Sequence, residues 1–553
     1  MTAPTWAPAR TDAAPDWWQH AVVYQIYPRS FADGDGDGCG DLAGIRSRLG
    51  YLRELGVDAL WISPFYPSPQ ADGGYDVADY RSVDPVYGTL RDAEALITDA
   101  HALGLRVIVD IVPNHCSDRH PWFRRALHEG AGSPLRDRFH FRPGRGRDGE
   151  EPPNDWVSLF GGPAWTRTTL PDGTPGEWYL HLFTPRQPDF NWDSAAVRDE
   201  FRSILRFWLD LGVDGFRVDV AHGLVKAPGL PDLGRNERLG LLGEKSVPYF
   251  DQDGVHEVYR SWRDVLEEYP GRRIAVAEAW TATLDRAARY VRPGELHQVF
   301  NFKFLNAPWE ASRMRELIGM SLGAMEGTDA PATWTLSNHD VVRHATRYAD
   351  GDPARGRRRA RAAALLVLAL PGSAYLYQGE ELGLPEVTDI PDDVRQDPAF
   401  HRADGGHGRR DGCRVPLPWS GTGAPYGFGP VPGGPAWLPQ PAEWAELSVE
   451  AQTGDPRSVL ELYRRALHVR RTHPALGAGR SLQWLDPAPG VLAFRREREG
   501  VALVCTVNTT GGPARVAGDG LGPLLLSSAE PPTVGEAGDV LLPADSTCWW
   551  QAG

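Results

Sequence analysis

Acidic side chains, several with arginine or histidine beside them, follow four separate apolar segments of the sequence. They are Asp110 with Asn114 and His115, Asp219 with Arg217, Glu278 with Trp280, and Asp340 with Asn338 and His339. One acid after an apolar run is often only a helix cap, because an aspartate there accepts a hydrogen bond from the first turn. Four apolar segments that are each followed by such an acid, with the acids on one face, are much harder to explain by capping. Together they indicate a polar pocket lined by carboxylates.

Such a pocket suits the cleavage of a glycosidic bond. In that reaction one ionised carboxylate attacks carbon, and a second carboxylic acid protonates the leaving oxygen. Arg217 stands two residues before Asp219, so both side chains project to the same side of an extended strand. We expect the arginine to keep Asp219 ionised and oriented. His115 and His339 can donate hydrogen bonds to sugar hydroxyls.

Other function classes lack their sequence signals. There is no glycine-rich phosphate loop at a strand–helix junction and no nucleophilic serine elbow. The formal net charge of −15 argues against nucleic acid or an anionic membrane as a partner. None of the five cysteines forms a CxxC pair, so neither a zinc site nor a disulfide framework is expected. We expect a small-molecule enzyme that is a monomer or a weak homo-oligomer.

The predicted location is the cytoplasm. Scarce, unpatterned cysteines are typical of a reducing compartment. No apolar run approaches the ~20 residues that span a bilayer. Residues 1–18 lack the basic-then-apolar order of a secretory signal.

One theme recurs along the chain: a short apolar run, a polar loop and an amphipathic helix. The candidate strands are residues 21–27, 57–63, 105–112, 213–220, 273–280, 297–304, 332–337 and 373–378. Near-continuous apolar strands that alternate with helices indicate a parallel sheet buried on both faces. Eight such units predict a closed (β/α)8 TIM barrel, in which functional groups lie at the carboxyl ends of the strands.

Two regions depart from this theme. Residues 116–186 are too long for an ordinary strand–helix loop, so we expect an inserted subdomain after the third strand. After about residue 478 the pattern changes to short alternating strands, which predict a C-terminal antiparallel β-domain. The expected organisation is a catalytic barrel over 15–115 and 187–475, the insert over 116–186, and a β-sandwich over 476–553.

The strand ends also resemble a known family. DIVPNH (110–115), GFRVDVAH (215–222), EAW (278–280) and SNHD (337–340) are similar, in order and spacing, to signature regions of glycoside hydrolase family 13, the α-amylase family. QPDFNW (187–192) resembles a fifth signature. VVYQIYPRSF, GGYDVADY, YQGEELGL and RVPLPW are similar to the oligosaccharide α-glucosidase and oligo-1,6-glucosidase branch. The resemblance covers nearly the whole chain.

The resemblance implies a role for each acid. Asp219 matches the nucleophile, Glu278 the general acid/base, and Asp340 a third carboxylate that binds sugar hydroxyls and stabilises the distorted ring. The implied reaction is a double displacement with retention, in which the two catalytic carboxyl groups lie about 5–5.5 Å apart.

The resemblance also implies a sugar pocket. His115, Arg217 and His339 match residues around the sugar at the cleavage point. Asp72 matches an acid that holds the terminal glucose, and Tyr75 a tyrosine that stacks on it. Arg414 matches the arginine that pairs with Asp72. Such a pair would close one end of the pocket, so that only a chain end enters.

The loop after the first strand carries alternating acids and glycines. Asp33, Asp35, Asp37, Cys39 and Asp41 occupy every second position. Clustered acids would repel one another without a cation, and hard cations prefer oxygen ligands. We therefore expect a structural Ca²⁺ here, with Mg²⁺ as the alternative. The resemblance implies that Cys39 would contribute only its backbone carbonyl.

The linkage and the acceptor stay open at this point. Val follows the nucleophile in many α-1,6-acting members of the branch and Ala in α-1,4-acting ones, but here Val220 precedes an unusual Ala221–His222 pair. We expect hydrolysis of short α-glucosides, oligosaccharide or aryl and alkyl, with α-1,4 bonds first and α-1,6 bonds second. The alternatives are an oligo-1,6-glucosidase, an α-glucosyl-transferring or trehalose-forming relative, and a non-catalytic binding relative. The last is disfavoured because all three acids are present.

Overall fold

The first three strands of the chain open a parallel sheet. The computed structural model describes residues 16–170, 172–234, 247–402, 410–421, 423–477, 482–535 and 538–552. The strands are β1 (Val22–Ile26), β2 (Ala59–Ile62) and β3 (Arg106–Ile111). Apart from Arg106 all of their residues are buried, which explains why they read as continuous apolar runs rather than alternating ones.

Four helices connect these strands: α1 (Pro28–Phe31), α2 (Leu42–Ser47), α3 (Leu49–Leu55) and α4 (Leu90–Ala102). Helix α4 begins with a capping box between Thr89 and Asp92. It buries Ala93, Leu96, Ile97 and Ala100, the spacing of one helix face. The helical periodicity of this segment therefore reflects its packing against the sheet.

The segment after β3 forms a small unit of its own. It contains α5 (Pro121–Glu129) and an antiparallel sheet of β4 (Phe141–Arg142), β6 (Pro175–Leu180) and β5 (Trp165–Thr169), in that order. An isolated bridge between His115 and Asp189 joins its two ends beside the barrel. The insert therefore begins and ends at the edge where the strand-end acids lie.

Five more strands complete the barrel: β7 (Gly215–Val218), β8 (Ile274–Ala277), β9 (Gln298–Val299), β10 (Thr333–Thr335) and β11 (Ser373–Tyr377). The sheet order is β10-β11-β1-β2-β3-β7-β8-β9, with every pairing parallel. The Thr333 hydroxyl donates to the Val299 carbonyl, linking the two end strands. The predicted TIM barrel is confirmed.

The sixth strand is shorter than predicted. We expected it to run to residue 304, but Phe302–Leu305 forms a helix, α9. The side chain of Asn301 accepts a hydrogen bond from the Phe304 backbone amide, at 3.1 Å, and so caps this helix. The apolar run FKFL therefore packs as a helical turn, a difference that periodicity over so short a run does not reveal.

The remaining helices surround the barrel or follow it. They are α6 (Ala195–Asp210), α7 (Val255–Glu267), α8 (Leu284–Arg289), α10 (Ala311–Ala324), α11 (His344–Arg347), α12 (Pro353–Ala369), α13 (Pro398–Arg402), α14 (Val449–Gln452) and α15 (Val459–Thr472). Helix α15 is the last helix before the C-terminal strands. No helix within the described ranges is long and apolar enough to cross a membrane.

The C-terminal strands form two antiparallel sheets, as predicted. One contains β12 (Gln483–Leu485), β13 (Val491–Arg498), β14 (Val501–Asn508), β19 (Ser546–Ala552) and β16 (Leu521–Ser527). The other contains β15 (Ala514–Val516), β18 (Val540–Leu542) and β17 (Thr533–Val534). Trp549 donates to the Leu365 carbonyl of α12, which ties the larger sheet to the barrel.

Candidate active site

The strand register brings three of the acids to one edge of the barrel. Asp110 on β3 is the parallel partner of Arg217 on β7. The Asp219 backbone amide donates to the Ile111 carbonyl at 2.9 Å, and the Glu278 amide donates to the Val218 carbonyl at 3.0 Å. The ladder therefore continues one residue past each strand, and Asp219 and Glu278 leave the sheet side by side.

A single guanidinium connects these acids. Nη1 of Arg217 lies 2.9 Å from Oδ1 of Asp110 and 2.6 Å from Oδ1 of Asp219, and Nη2 lies 2.7 Å from Oε2 of Glu278. We call these four residues the Arg217 cluster. All of them are buried. One cation thus faces three carboxylates in a site that is largely withdrawn from water.

The charges in the Arg217 cluster do not balance, and this affects protonation. Burial raises the pKa of Asp219 well above its ordinary value, and the nearby Arg217 only partly opposes this. Burial likewise raises the pKa of Asp110 to about 7. The expectation that Arg217 keeps Asp219 ionised is therefore right in sign, but the effect of burial on the pKa of Asp219 is larger. The cluster favours holding a proton.

The backbone around the nucleophile position fixes Glu278 further. The Val220 amide donates to Oε2 of Glu278 at 3.0 Å, and the Trp280 indole donates to Oε1 at 3.1 Å. Val220 has a φ of +44°, a conformation that is unusual for a β-branched residue and often marks a functional constraint. The Trp280 ring stacks on Phe302 with centroids 3.7 Å apart. The short helix α9 thus supports the tryptophan that orients Glu278.

A second group of charges lies around Asp340. Oδ1 of Asp340 is 3.0 Å from Nη1 of Arg410 and 2.9 Å from Nη2 of Arg414. Arg410 also contacts Asp72 at 2.7 Å and Asp397 at 3.0 Å, both through Nη2. We call these five residues the Arg410 cluster. It contains two arginines for three carboxylates.

The second arginine changes the protonation of this cluster. Burial alone would raise the pKa of Asp340, but the adjacent His339 ring and the charges of Arg410 and Arg414 hold it below its ordinary value. Burial keeps the pKa of His339 itself low, so the two arginines are the permanent charges. The pKa of Asp397 is also lowered, because Arg410 outweighs its burial. Asp340 and Asp397 are therefore carboxylates near neutral pH.

The predicted pairing of Asp72 with Arg414 is wrong. Asp72 pairs with Arg410, while Arg414 donates to the His339 carbonyl at 2.8 Å and to Asp340. Arg410 is the first residue of the short 3-10 helix Arg410–Cys413, and Arg414 directly follows that helix. Both arginines reach Asp340. Arg410 stands four residues before the predicted partner in the sequence, and its position beside that motif is the signal that could have suggested it.

The aromatic and amide groups of the pocket link the two clusters. The Tyr75 hydroxyl donates to Asp110 at 3.0 Å, and its ring stacks on His339 with centroids 5.2 Å apart and planes inclined by 10°. The Gln187 amide lies 3.1 Å from Oδ2 of Asp72 and 3.2 Å from Nε2 of His115. Burial lowers the pKa of His115 to about 4, so its ring is neutral at pH 7. All nine predicted catalytic and sugar-binding residues belong to this connected site.

Known proteins resemble this chain over most of its length. A family profile described as "Alpha amylase, catalytic domain" matches residues 25–479, which include every barrel residue of the two clusters. The chain belongs to the α-amylase family. A protein of Rhizobium meliloti (strain 1021) named "Probable alpha-glucosidase" is 39% identical over 510 residues and 89% of each chain.

A second relative and a solved structure are also similar to this α-amylase-family chain. The oligo-1,6-glucosidase of Parageobacillus thermoglucosidasius is 34% identical over 526 residues, which are 89% of this chain and 90% of that one. The crystal structure of an α-glucosyl transfer enzyme matches with a TM-score of 0.85 at 36% identity, covering 97% of this chain and 99% of that one. Hydrolysing and transferring relatives thus share the fold.

Several residues of the α-amylase-family site were not singled out from the sequence. They are Gln25 and Gln187, which stand inside quoted motifs, and Asp397 and Arg410, which do not. The Gln25 amide lies 2.7 Å from Nδ1 of His339 and so fixes that ring from inside the barrel. Nothing in a buried strand such as β1 distinguishes a site glutamine from any other polar residue before the fold is known.

The acidic loop after α1 brings only part of the predicted cation ligands together. One carboxylate oxygen from each of Asp33, Asp35 and Asp37 lies within 4.8 Å of the others. Asp41 does not join them: its side chain caps helix α2 by accepting from the Gly44 amide at 2.6 Å and also accepts from the Gly34 amide at 3.0 Å. The Cys39 amide donates to Asp37 at 2.7 Å. Asp41 therefore acts as a helix cap and not as a member of the acid group.

Proposed function

We propose that this chain is a retaining, exo-acting α-glucosidase that releases glucose from the non-reducing end of short α-glucosides. The α-1,4 linkage is the first choice and the α-1,6 linkage the second. The observation that carries the proposal is the Arg217 cluster, in which one guanidinium holds both Asp219 and Glu278 at hydrogen-bond distance. The enzyme class agrees with that of its relatives named α-glucosidase and oligo-1,6-glucosidase.

The reaction follows from the positions of these two acids. Asp219 attacks the anomeric carbon while Glu278 gives its proton to the leaving oxygen, so that the bond to the leaving sugar breaks as the bond to Asp219 forms. Water then attacks the same carbon, Glu278 takes its proton, and Asp219 leaves as a carboxylate. Two inversions at one carbon retain the α configuration. The Arg217 cluster, with three carboxylates and one cation, is suited to supply the first proton.

The Arg410 cluster has a different role in this proposal. Asp340 and Asp72 bind hydroxyls of the glucose unit that is cleaved. Each carboxylate lies within 3.0 Å of an Arg410 nitrogen and has oxygens that can accept hydrogen bonds. His115 and His339 contribute neutral ring nitrogens, and Tyr75 offers its ring face to the sugar. The Asp72–Arg410 contact at 2.7 Å supports a pocket closed at one end, which limits the enzyme to chain ends.

We propose a structural Ca²⁺ in the acidic loop, with Mg²⁺ as the alternative. Asp33, Asp35 and Asp37 have no ion pair with any residue of the described ranges, yet their oxygens are close together. Carboxylate and backbone carbonyl oxygens are the ligands that hard cations prefer. The Asp33 amide donates to the Phe428 carbonyl, and the Trp437 amide to the Gly38 carbonyl. An ion here would stabilise the contact between this loop and residues 428–437.

The substrates and location follow from the same reasoning. We propose small oligosaccharides and aryl or alkyl α-glucosides as substrates, because the pocket groups described here all serve a single sugar unit. We place the enzyme in the cytoplasm: all five cysteines are free and buried, as expected in a reducing compartment.

A second candidate function is α-glucosyl transfer, in which a sugar replaces water in the second step. It is favoured by the 36% identity to a solved α-glucosyl transfer enzyme, and it needs no other carboxylates. Nuclear magnetic resonance on maltose, isomaltose, sucrose and trehalose, with and without added acceptor, separates the two. We expect α-glucose as the first product without acceptor. Release of β-glucose as the first product from sucrose, whose other product is fructose, or no cleavage of any of the four, would contradict the proposal.

A further inference from the structure

We propose that the ion pair between Asp251 and Arg286, which we call the brace, fixes the turn that follows the nucleophile. The turn comprises residues 219–223 and lies against Glu278. Both members of the brace are then positioning residues, and this inference rests on the proposed function only for the roles of Asp219 and Glu278. The brace lies outside the Arg217 and Arg410 clusters and outside every signature motif of the sequence, so its contacts alone single it out.

The turn after the nucleophile is hydrogen-bonded directly to the acid/base residue. The Val220 amide donates to Oε2 of Glu278 at 3.0 Å, and the Ala221 amide donates to the Glu278 carbonyl at 2.8 Å. The φ of +44° at Val220 is strained for a β-branched residue and persists only where surrounding contacts hold it. A shift of this turn would therefore move Asp219 relative to Glu278.

Asp251 supports the turn through its main chain. Its backbone amide donates to the His222 carbonyl at 2.7 Å. Asp251 has a φ of +55°, a left-handed conformation that is uncommon outside glycine. The His222 ring is buried against Phe250, with ring centroids 4.2 Å apart, and burial lowers its pKa to about 3, so it adds packing without charge. The main-chain hydrogen bond and this packing together fix the end of the turn.

Helix α8 and its C-cap residue hold Asp251 in place. Oδ2 of Asp251 accepts from Nε of Arg286 at 2.8 Å, and Oδ1 accepts from the Tyr290 hydroxyl at 2.9 Å. Nη2 of Arg286 donates to the Asp251 carbonyl at 2.6 Å. The Asp251 side chain is 6% exposed, and a buried carboxylate that loses its cation is strongly disfavoured in its charged position. Loss of Arg286 should therefore release Asp251.

The brace joins two neighbouring βα units of the barrel. Residues 278–283 connect β8 to α8, and the Thr283 side chain caps that helix by accepting from the Arg286 amide at 3.1 Å. The contacts form a closed ring, because the turn bonds to Glu278, the chain leads from Glu278 to α8, and Arg286 returns through Asp251 to the turn. Opening the ring at Arg286 should loosen the turn while the sugar-binding residues keep their contacts.

The test combines amide hydrogen exchange of the intact protein, read by mass spectrometry, with steady-state kinetics on 4-nitrophenyl α-glucoside. In Arg286→Gln we expect the peptide covering residues 219–223 to exchange at least about fivefold faster. We also expect kcat to fall about 10–10²-fold, as for a small misplacement of reacting groups, with KM nearly unchanged. Arg286→Lys should recover part of both losses because it keeps the charge. Asp251→Asn should change both quantities in the same direction as Arg286→Gln.

Arg289→Gln is the matched control. Arg289 lies on the same helix, and its ion-pair partner among the described residues is Asp253, at 3.2 Å, rather than Asp251. It should leave exchange and kcat unchanged. Wild-type exchange of the 219–223 peptide in folded Arg286→Gln and Asp251→Asn would overturn the proposal, as would an equal response in Arg289→Gln. Exchange needs no turnover, so an inactive wild type whose turn still depends on Arg286 would refute the proposed function alone.

Discussion

The Arg217 cluster and the Arg410 cluster lie in one site but differ in their balance of charge. Each contains three buried or half-buried carboxylates. The first has one arginine, and burial raises the pKa of Asp219 and Asp110. The second has two, and the pKa of Asp340 and Asp397 is lowered. The same residue type is therefore biased toward opposite protonation states by the count of neighbouring cations.

The difference explains how one pocket can both bind sugar and transfer protons. Carboxylates that stay charged accept hydrogen bonds from hydroxyls and hold the glucose unit. A cluster short of cations retains a proton, which acid catalysis needs, and pairs of titratable groups pushed apart in this way mark acid/base roles. The predictions below test this contrast, beginning with the largest expected effect.

Replacing Asp219 with Asn should abolish turnover. The amide keeps the size of the side chain and an oxygen for Arg217, but it cannot form a stable bond to the anomeric carbon. We expect kcat to fall by at least about 10⁴-fold, a typical loss for a covalent nucleophile, with the melting temperature nearly unchanged. Substantial residual hydrolysis of 4-nitrophenyl α-glucoside, after exclusion of contaminating enzyme, would remove Asp219 from its role.

Replacing Arg217, the one cation of the Arg217 cluster, should change the pH dependence of kcat/KM. Arg217 lowers the pKa of Asp219 against the larger effect of burial, so Arg217→Gln should raise that pKa further. Because Asp219 must be ionised to attack, the acid limb of kcat/KM should move to higher pH, with an overall loss of about 10²–10³-fold. Arg217→Lys should move the limb less. An acid limb at the wild-type pH in both variants would contradict the charge-balance account.

The acidic loop is a third case, in which Asp33, Asp35 and Asp37 form no ion pair with any arginine that the structure describes. If a metal ion takes the place of the arginine, a chelator should lower the melting temperature of wild type by roughly 2–5 °C through loss of mass-action stabilisation. Asp35→Asn should abolish this response, whereas the exposed control Asp519→Asn should keep it. Equal melting curves with chelator, Ca²⁺ and Mg²⁺ would refute the site.

The smallest expected effect concerns Glu380, a buried carboxylate that has no ion pair within the described part of the chain. Burial raises its pKa to about 8, above the value of about 4.3 in an unfolded chain. The folded state thus binds the extra proton between these values, and this contribution to stability is lost as pH rises toward 8. Glu380→Gln should melt roughly 1–2 °C higher than wild type at pH 8 and show no gain at pH 5. A gain at both pH values would indicate a packing effect instead.

Much of the site could be predicted from the sequence because its acids stand at strand ends. Asp219, Glu278 and Asp340 each follow an apolar run, and the barrel periodicity predicts where such runs end. The choice between Arg410 and Arg414 as the partner of Asp72 could not be predicted in this way. Both arginines stand in one stretch, and their contacts depend on the short 3-10 helix that begins at Arg410 and ends just before Arg414. Asp397 belongs to no motif and is recognisable only by its contact with Arg410.

The number of acids that share the Arg217 guanidinium could not be predicted from the sequence either. The sequence places Arg217 beside Asp219 and so predicts an ionised nucleophile. That local reasoning omits Asp110 and Glu278, which reach the same guanidinium only because β3, β7 and β8 are adjacent. How many acids share one cation is a property of the assembled sheet, and it decides the protonation of the cluster.

The central claim is that Asp219 forms a covalent bond to glucose while Glu278 controls proton transfer. In Glu278→Gln, α-glucosyl fluoride can still transfer its sugar because fluoride leaves without protonation, but release by water is slowed. Mass spectrometry of the digested protein should then show one added glucosyl group on the peptide that contains Asp219, and none in the Asp219→Asn, Glu278→Gln double variant. A glucosyl group on another residue, or rapid release of β-glucose without any adduct, would contradict the account.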